Sequence, residues 1–217
     1  MFLKTSRFLF CVMFSFPFFL HAKALTPDKA FQMLLDGNTR FIAGKTSHPN
    51  LTSERYDEMK MAQEPFAIII GCSDSRVPPE MIFDQGLGDL FVVRDAGNVV
   101  GPIELDSIEY GVFRLHVPLI LVLGHENCGA IKAALSIKDG AKMPDIQHIY
   151  PLIKPSLQNL PEKTDERLVR ATKNNIQYNI GVIKKDPRIA KLISENKLKV
   201  IGGYYDLDDC KVMIFSP

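Results

Sequence analysis

The sequence predicts an α/β fold: a mostly parallel β-sheet flanked by helices, with an N-terminal helical arm and a C-terminal antiparallel edge hairpin. Two observations support this prediction. Short apolar runs of strand length contain no alternating polar residues, as expected for strands buried on both faces of a parallel sheet. Segments with helical periodicity separate these runs, and such alternation is typical of an α/β fold.

The predicted elements of the first half begin with a helix at Thr26-Pro27-Asp28. Here a capping hydroxyl, a proline in the first turn and an acid near the positive helix end form a helix-start pattern. The polar stretch 47–53 is predicted to be a loop. Three buried strands are predicted at residues 66–71, 90–93 and 119–123.

Four further helices are predicted from apolar spacing and stop signals, at residues 103–116, 130–137, 165–184 and 187–195. The chain then offers two strand-like runs, 199–205 and 211–215, joined by a short acidic segment. This pair predicts the terminal hairpin.

Composition excludes several classes of protein. With 217 residues, of which 46% are hydrophobic and 24% charged, the chain can bury the core of one ordinary domain. With a formal net charge of +1, the chain does not have the excess of basic residues that is typical of a nucleic-acid-binding protein. Its 4 cysteines are too few for a disulfide scaffold. We therefore expect no nucleic-acid partner.

The first residues have a different composition from the rest. Lys4 and Arg7 precede an uncharged apolar run at 8–20, which is followed by the small-x-small pattern Ala22-Lys23-Ala24. This layout predicts a signal peptide over residues 1–24, since the run is too short for a spanning helix. An uncleaved anchor or an amphipathic helix is the alternative.

Cleavage after Ala24 would leave residues 25–217 as a single domain. The protein is then expected to be exported, either periplasmic or secreted, with no stable membrane anchoring. Three cysteines remain in this part of the chain, an odd number that argues against a simple disulfide framework.

Two of the buried strands end in groups that can bind a metal. The first runs into Gly71-Cys72, and the strand at 119–123 runs into Gly-His-Glu-Asn-Cys-Gly at 124–129. The carboxyl ends of parallel strands meet at one sheet edge, so Cys72, His125 and Cys128 should converge there. Two thiolates and one imidazole form a zinc set that leaves a fourth position for water. The alternative is a pair of buried structural thiols and a hydrogen-bonded histidine.

Residues just after Cys72 add a carboxylate and a guanidinium. Asp74 could ligate a cation, or it could pair with Arg76 in bidentate fashion and accept a hydrogen bond from metal-bound water. A simple turn capped by Asp74, with Arg76 solvated, is the remaining interpretation.

Together these segments resemble the two signature motifs of the β-class carbonic anhydrases. The motifs are Cys-Ser-Asp-Ser-Arg-Val at 72–77 and Gly-His-x-x-Cys-Gly at 124–129, and the similarity extends through 91–98 and 107–110. It covers most of the chain from about residue 30 to residue 215. The paired motifs are far more specific than either one alone.

The resemblance implies one zinc ion per chain, held by Cys72, His125 and Cys128. Zinc-bound hydroxide would attack CO2 to give bicarbonate. Asp74 would orient the hydroxide, and Arg76 would hold Asp74 away from the metal. The family also has a closed state in which this aspartate ligates zinc, and we expect Asp74 to be off the metal at mildly alkaline pH.

The resemblance also implies a substrate pocket of the plant-like subtype. The other subtype has a Trp three residues before the first Cys ligand, where this chain has Ile69, and the chain contains no Trp. A glutamine nine residues before that Cys marks the plant-like subtype and corresponds to Gln63. The implied substrate-binding residues are Gln63, Phe91, Ala96, Tyr110 and Gly129.

Family members form dimers or dimer-based tetramers in which pocket residues are shared, so a homodimer or such a tetramer is expected here. The N-terminal helix would reach the partner or pack on its own chain. The implied substrates are CO2 and bicarbonate. Two other functions stay open: hydrolysis of CS2 or COS on the same scaffold, and a non-catalytic zinc or redox role for Cys72 and Cys128.

Overall fold

A five-stranded sheet forms the centre of the molecule in the computed structural model, which describes residues 25–137 and 144–215. The strand order is β2-β1-β3-β4-β5; β1 to β4 run parallel and β5 is antiparallel to β4. This confirms the predicted parallel sheet with its antiparallel edge hairpin. The strands are β1 (Ala67–Cys72), β2 (Leu90–Asp95), β3 (Leu119–His125), β4 (Lys199–Tyr205) and β5 (Val212–Phe215).

Eight α-helices lie within the described ranges, and none of them is both long and apolar enough to cross a membrane. The predicted signal peptide, residues 1–24, lies outside those ranges and stays a prediction. The helices are α1 (Pro27–Ile42), α2 (Ser53–Met59), α3 (Pro79–Ile82), α4 (Pro102–Phe113), α5 (Gly129–Ser136), α6 (Tyr150–Ile153), α7 (Thr164–Lys184) and α8 (Pro187–Ser194).

Three short helices were not predicted from the sequence. The α2 helix begins at the end of the predicted loop, where the Thr52 side chain accepts a hydrogen bond from the Arg55 N–H at 3.3 Å. None of its residues is buried, so it lacks the apolar periodicity on which the prediction depended. The α3 and α6 helices have only four residues each, too few to display a period.

The sheet separates two apolar layers, because successive side chains of a strand point to opposite faces. Ile69 of β1 and Leu121 of β3 face one layer, which includes residues of α1 and α5. Ile68 and Ile70 face the other layer, formed with α4, α7 and α8. Every residue of β1 and β3 is buried, so the apolar core holds the polar residues at the carboxyl ends of these strands in fixed positions.

The N-terminal helix α1 packs on its own chain. Its Gly37 lies so close to Phe83 that a Cβ atom would come within 1.7 Å of the Phe83 carbonyl oxygen. The neighbouring Asn38 is buried and donates to the carbonyl oxygens of Ile82 and Cys210, both at 3.1 Å, and accepts from the Val212 N–H at 3.0 Å. These contacts join α1 to the segment after α3 and to the terminal hairpin.

A buried carboxylate holds the loop after α1 in place. The Asp84 side chain has no exposed surface and accepts hydrogen bonds from the backbone N–H groups of Ser47 and His48, at 2.9 and 3.0 Å, as well as from Arg40. Burial alone would raise the pKa of Asp84, but these donors lower it to about 2. The ionised carboxylate is therefore the form that the fold stabilises.

We expect Asp84→Ala to lower the free energy of unfolding by about 2 kcal/mol at pH 7, because it removes a buried acceptor that joins three partly buried donors. A folded-state pKa below the unfolded value adds stability above pH ~4 that is lost as the pH falls towards 2. Urea unfolding at pH 7 and pH 3 should therefore show a smaller deficit of the variant at pH 3.

Asp57→Ala is the matched control, because Asp57 forms an exposed ion pair with Lys60. Its effect should stay within about 0.5 kcal/mol. Equal effects of the two substitutions would contradict the structural role of Asp84.

Candidate metal centre

Three ligand-type side chains converge at the carboxyl edge of the sheet. Cys72 is the last residue of β1 and His125 the last residue of β3, and these two strands pair in parallel with Gly71 opposite Leu123. Cys128 follows as the N-cap residue of α5. All three side chains are at least nine-tenths buried, and their ligand atoms lie within 4.8 Å of one another.

The tautomer of His125 leaves Nε2, the nitrogen that faces the two cysteines, free to bind a metal. Its Nδ1 lies 2.8 Å from the Glu126 carbonyl oxygen, which can only accept, so Nδ1 carries the hydrogen. The Nε2 atom is then the electron-pair donor. It is buried and has no hydrogen-bond partner among the described residues. A buried nitrogen of this kind is costly unless a ligand satisfies it.

The spacing of the sulfur atoms also fits a metal. Cys72 Sγ and Cys128 Sγ are 4.0 Å apart, close to the ~3.8 Å separation of two sulfurs in tetrahedral zinc with Zn–S bonds of ~2.3 Å. The residues present thus form a three-ligand Cys2His set with the donor chemistry of a zinc site, and together they can hold a metal ion.

The local electrostatics favour a thiolate at Cys72. Cys72 Sγ and Cys128 Sγ are in hydrogen-bond contact, and a hydrogen bond from Cys128, together with the Gly97 N–H, lowers the pKa of Cys72 against the effect of burial. The same hydrogen bond, together with burial, raises the pKa of Cys128. Without a cation the pair therefore favours a single negative charge, and a nearby positive ion would favour the second thiolate.

Asp74 and Arg76 form a bidentate pair at the mouth of the site. Arg76 Nε donates to Asp74 Oδ1 at 2.9 Å and Arg76 Nη2 donates to Oδ2 at 2.7 Å, which holds the pKa of Asp74 well below its usual range. Asp74 Oδ2 lies 4.0 Å from His125 Nε2. The carboxylate therefore faces the ligand atoms while Arg76 holds both of its oxygens.

Two residues that support the site were not assigned a role from the sequence. Arg94 donates to the Cys72 carbonyl oxygen at 2.8 Å and to the Asp74 carbonyl oxygen at 2.7 Å, which fixes the backbone between ligand and carboxylate. The Gly97 N–H donates to Cys72 Sγ at 3.3 Å. Both residues lie within 91–98, a segment that resembles the family, and this was the one sequence feature that pointed to them. The spacing of residues does not show which backbone N–H will donate a hydrogen bond.

The five predicted substrate-binding residues fall into two groups. Ala96 directly precedes Gly97, and Gly129 directly follows Cys128, so both adjoin the metal ligands. Gln63 lies before the amino end of β1, close to the start of β2. The six residues of β1 span about 16 Å, and the metal-ligand side chain of Cys72 lies at the opposite, carboxyl end of this strand.

Phe91 and Tyr110 lie with Gln63 at the amino side of the sheet. Phe91 pairs with Ile68 near the start of β1, and its ring centroid is 6.2 Å from that of Tyr110, which is 49% exposed. Within one chain, these two rings and Gln63 are therefore remote from the metal ligands.

Comparisons with known proteins agree with this geometry. Residues 67–212 match the family model described as carbonic anhydrase. A carbonic anhydrase of Mycolicibacterium smegmatis is 39% identical over 193 residues, covering 88% of this chain and 94% of that protein. Carbonic anhydrase 2 of Mycobacterium tuberculosis is 37% identical over 191 residues, covering 87% and 92%.

A solved structure shows the same architecture. A chain from the crystal structures of two tetrameric β-carbonic anhydrases of the ascomycete Sordaria macrospora superposes with a TM-score of 0.67 and 29% identity. The match covers 86% of this chain and 97% of that one. With its fold, its Cys2His set and these relatives, the chain belongs to the β-class carbonic anhydrase family.

Proposed function

We propose that this protein is a zinc-dependent carbonic anhydrase that interconverts CO2 and bicarbonate, with one zinc ion per chain. The observation that supports it most strongly is the buried Cys2His set facing an ionised carboxylate that Arg76 holds by both oxygens. Structural zinc sites are usually closed by four protein ligands, whereas catalytic sites have three. Three ligands with a carboxylate beside them favour catalysis.

Bound zinc supplies a water-derived nucleophile near neutral pH by lowering the pKa of its water. Cys72 and Cys128 contribute the negative charge that holds the ion, and His125 contributes Nε2. Asp74 stays ionised because of Arg76 and is placed to accept a hydrogen bond, so it orients the nucleophile. Both Asp74 oxygens accept hydrogen bonds from Arg76, so Arg76 would hold the carboxylate off a bound metal at mildly alkaline pH.

We infer that a second copy of the chain completes the substrate pocket. Gln63, Phe91 and Tyr110 lie too far from the metal ligands of their own chain to contact CO2 bound there. Phe91 lies on β2, which is the edge strand of the described sheet, and Tyr110 is half exposed beside it. In a homodimer, or a tetramer built from dimers, these residues would line the partner's site. The tetrameric Sordaria enzymes support such an assembly.

The two other interpretations of the sequence receive no specific support. A CS2 or COS hydrolase would use the same three ligands, and no contact in the described residues favours those substrates over CO2. A redox protein would need Cys72 and Cys128 but would have no use for the bidentate pairing of Asp74 with Arg76.

The first test measures zinc content and CO2 hydration by stopped flow across pH on the same preparation. We expect one zinc per chain and high hydration activity in the wild type, and loss of both in Cys72→Ser, which removes one of three ligands. Parallel assays of sulfide release from CS2 and COS distinguish the alternative substrates. One zinc per chain without CO2 hydration at any pH would overturn the proposed function.

The second test concerns Arg76. We expect Arg76→Ala to keep its zinc but lose about 100-fold in kcat/KM, because Asp74 is no longer held in the orientation that the nucleophile requires. Arg76→Lys should restore little, since lysine cannot form the two parallel hydrogen bonds. Stopped-flow hydration with metal analysis measures both effects.

Arg188→Ala is the matched control for this test. Arg188 forms a similar pair with Asp186, also two residues earlier, but it lies at the start of α8, away from the metal ligands. Arg188 also pairs with Glu109, so its removal should leave the zinc content unchanged and lower hydration far less than Arg76→Ala does. A loss in Arg76→Ala no larger than in Arg188→Ala would remove Arg76 from the mechanism.

The third test asks which chain Gln63 serves. Cys72→Ser and Gln63→Ala should each be nearly inactive alone. Co-expressed in equal amounts, half of the dimers are mixed, and each mixed dimer has one site with wild-type metal ligands and a wild-type Gln63 from the partner. We therefore expect recovery to about a quarter of wild-type activity. No recovery in dimers shown to be mixed would mean that Gln63 does not act across the interface.

A further inference from the structure

We propose that Asn175, in the middle of α7, is a positioning residue that holds the loop at 96–101 against the metal-binding sulfur of Cys72. This inference rests on the proposed zinc site. It adds to that site a residue 47 positions beyond Cys128 in the sequence, on a helix that contributes no metal ligand.

The loop reaches the site through one backbone group. The Gly97 N–H donates to Cys72 Sγ at 3.3 Å, and Gly97 has a φ of +89°, a conformation that favours glycine. A Cβ atom at this position would meet Ile153 at 3.1 Å and Ala130 at 3.2 Å. Gly97 is therefore close-packed against the core. Because it has no side chain, the direction of its N–H depends on the contacts that its backbone makes.

Asn175 provides that hold. Its Nδ2 donates to the Gly97 carbonyl oxygen at 2.8 Å, so the residue whose N–H contacts the sulfur is fixed from its other side. One turn later, Asn179 accepts from the Val100 N–H at 2.9 Å. Two amides on one helix face thus bind the loop at both ends.

The two amides also orient each other. Asn179 Nδ2 donates to the Asn175 backbone oxygen at 2.9 Å and lies 3.3 Å from Asn175 Oδ1. Since Asn175 Oδ1 faces a donor, its Nδ2 must face the Gly97 carbonyl oxygen. Hence the direction of the hydrogen bond to Gly97 is set by the helix, not by solvent.

Burial distinguishes this pair from an ordinary polar helix face. Asn175 and Asn179 have no exposed surface, and their neighbours on the inner face of α7 are isoleucines such as Ile176 and Ile180. Placing two amides among isoleucines is costly unless their hydrogen bonds are made. Here they satisfy backbone groups of a buried loop that has no strand to pair with, and one of those groups leads directly to Cys72.

The expected consequence is weaker metal retention without Asn175. Partners that orient metal ligands typically change metal affinity by about 10- to 100-fold when they are removed. Because Asn175 acts through Gly97, we expect the lower end, an increase of roughly 10-fold in the rate of zinc transfer from Asn175→Ala to a chromophoric chelator. The sulfur-to-metal charge-transfer band of the cobalt-substituted protein should shift as well, since the hydrogen bond to Cys72 Sγ changes.

Asn174→Ala is the matched control. Asn174 lies next to Asn175 on α7 and also donates to backbone oxygens, of Ser156 at 3.2 Å and Gln158 at 3.3 Å, but those contacts anchor a segment that contributes no residue to the metal set. It should lose thermal stability while its zinc transfer rate and cobalt spectrum match the wild type. Should Asn175→Ala not fold, Asn175→Ser provides the same test, because its shorter side chain cannot reach the Gly97 oxygen.

The outcomes separate this inference from the proposed function. Zinc transfer and cobalt spectra in the Asn175 variants equal to those of Asn174→Ala, with full wild-type metal binding, would reduce Asn175 to a structural residue and leave the proposed enzyme intact. A wild type that binds no zinc or cobalt would overturn both. Faster transfer and a shifted band in the Asn175 variants alone would support the positioning role.

Discussion

The parallel pairing of β1 with β3 is the constraint on which the site depends. It brings Cys72 and His125, 53 positions apart in sequence, to one edge of the sheet, with Gly71 opposite Leu123. Both strands are buried along their whole length, so neither can slip without exposing isoleucines and leucines to water. The apolar core thereby fixes the positions of two polar ligands, and the short turn to α5 adds the third.

The long elements that pack could be predicted, whereas the short helices could not, either because they bury nothing or because four residues display no period. The buried strands, α1, α4 and α7 carry apolar spacing that is readable from sequence, whereas α2 buries nothing and rests on the Thr52 cap. In the site, the paired motifs indicated Cys72, His125, Cys128, Asp74 and Arg76. The Gly97 N–H and the Asn175 amide were beyond prediction, because a backbone donor has no sequence identity and a buried asparagine resembles an exposed one.

Two buried polar arrangements support the fold in different ways. The Asp84 carboxylate is charged and ties the loop after α1 to the end of α3. The amides of Asn175 and Asn179 are neutral and act beside the thiolates. A neutral donor beside a metal site supplies direction without adding a charge that would compete for the ion.

The distance between the metal ligands and the ring pair of Phe91 and Tyr110 has a consequence for how the protein responds to dilution. If a second copy completes the pocket as proposed, a solitary chain would hold an ion but lack a complete substrate pocket, so turnover per chain would depend on the fraction of chains that are associated. Catalysis would then have a concentration threshold set by the dissociation constant of the assembly. Chains diluted below that concentration would be inactive until they associate through the face that carries Phe91 and Tyr110.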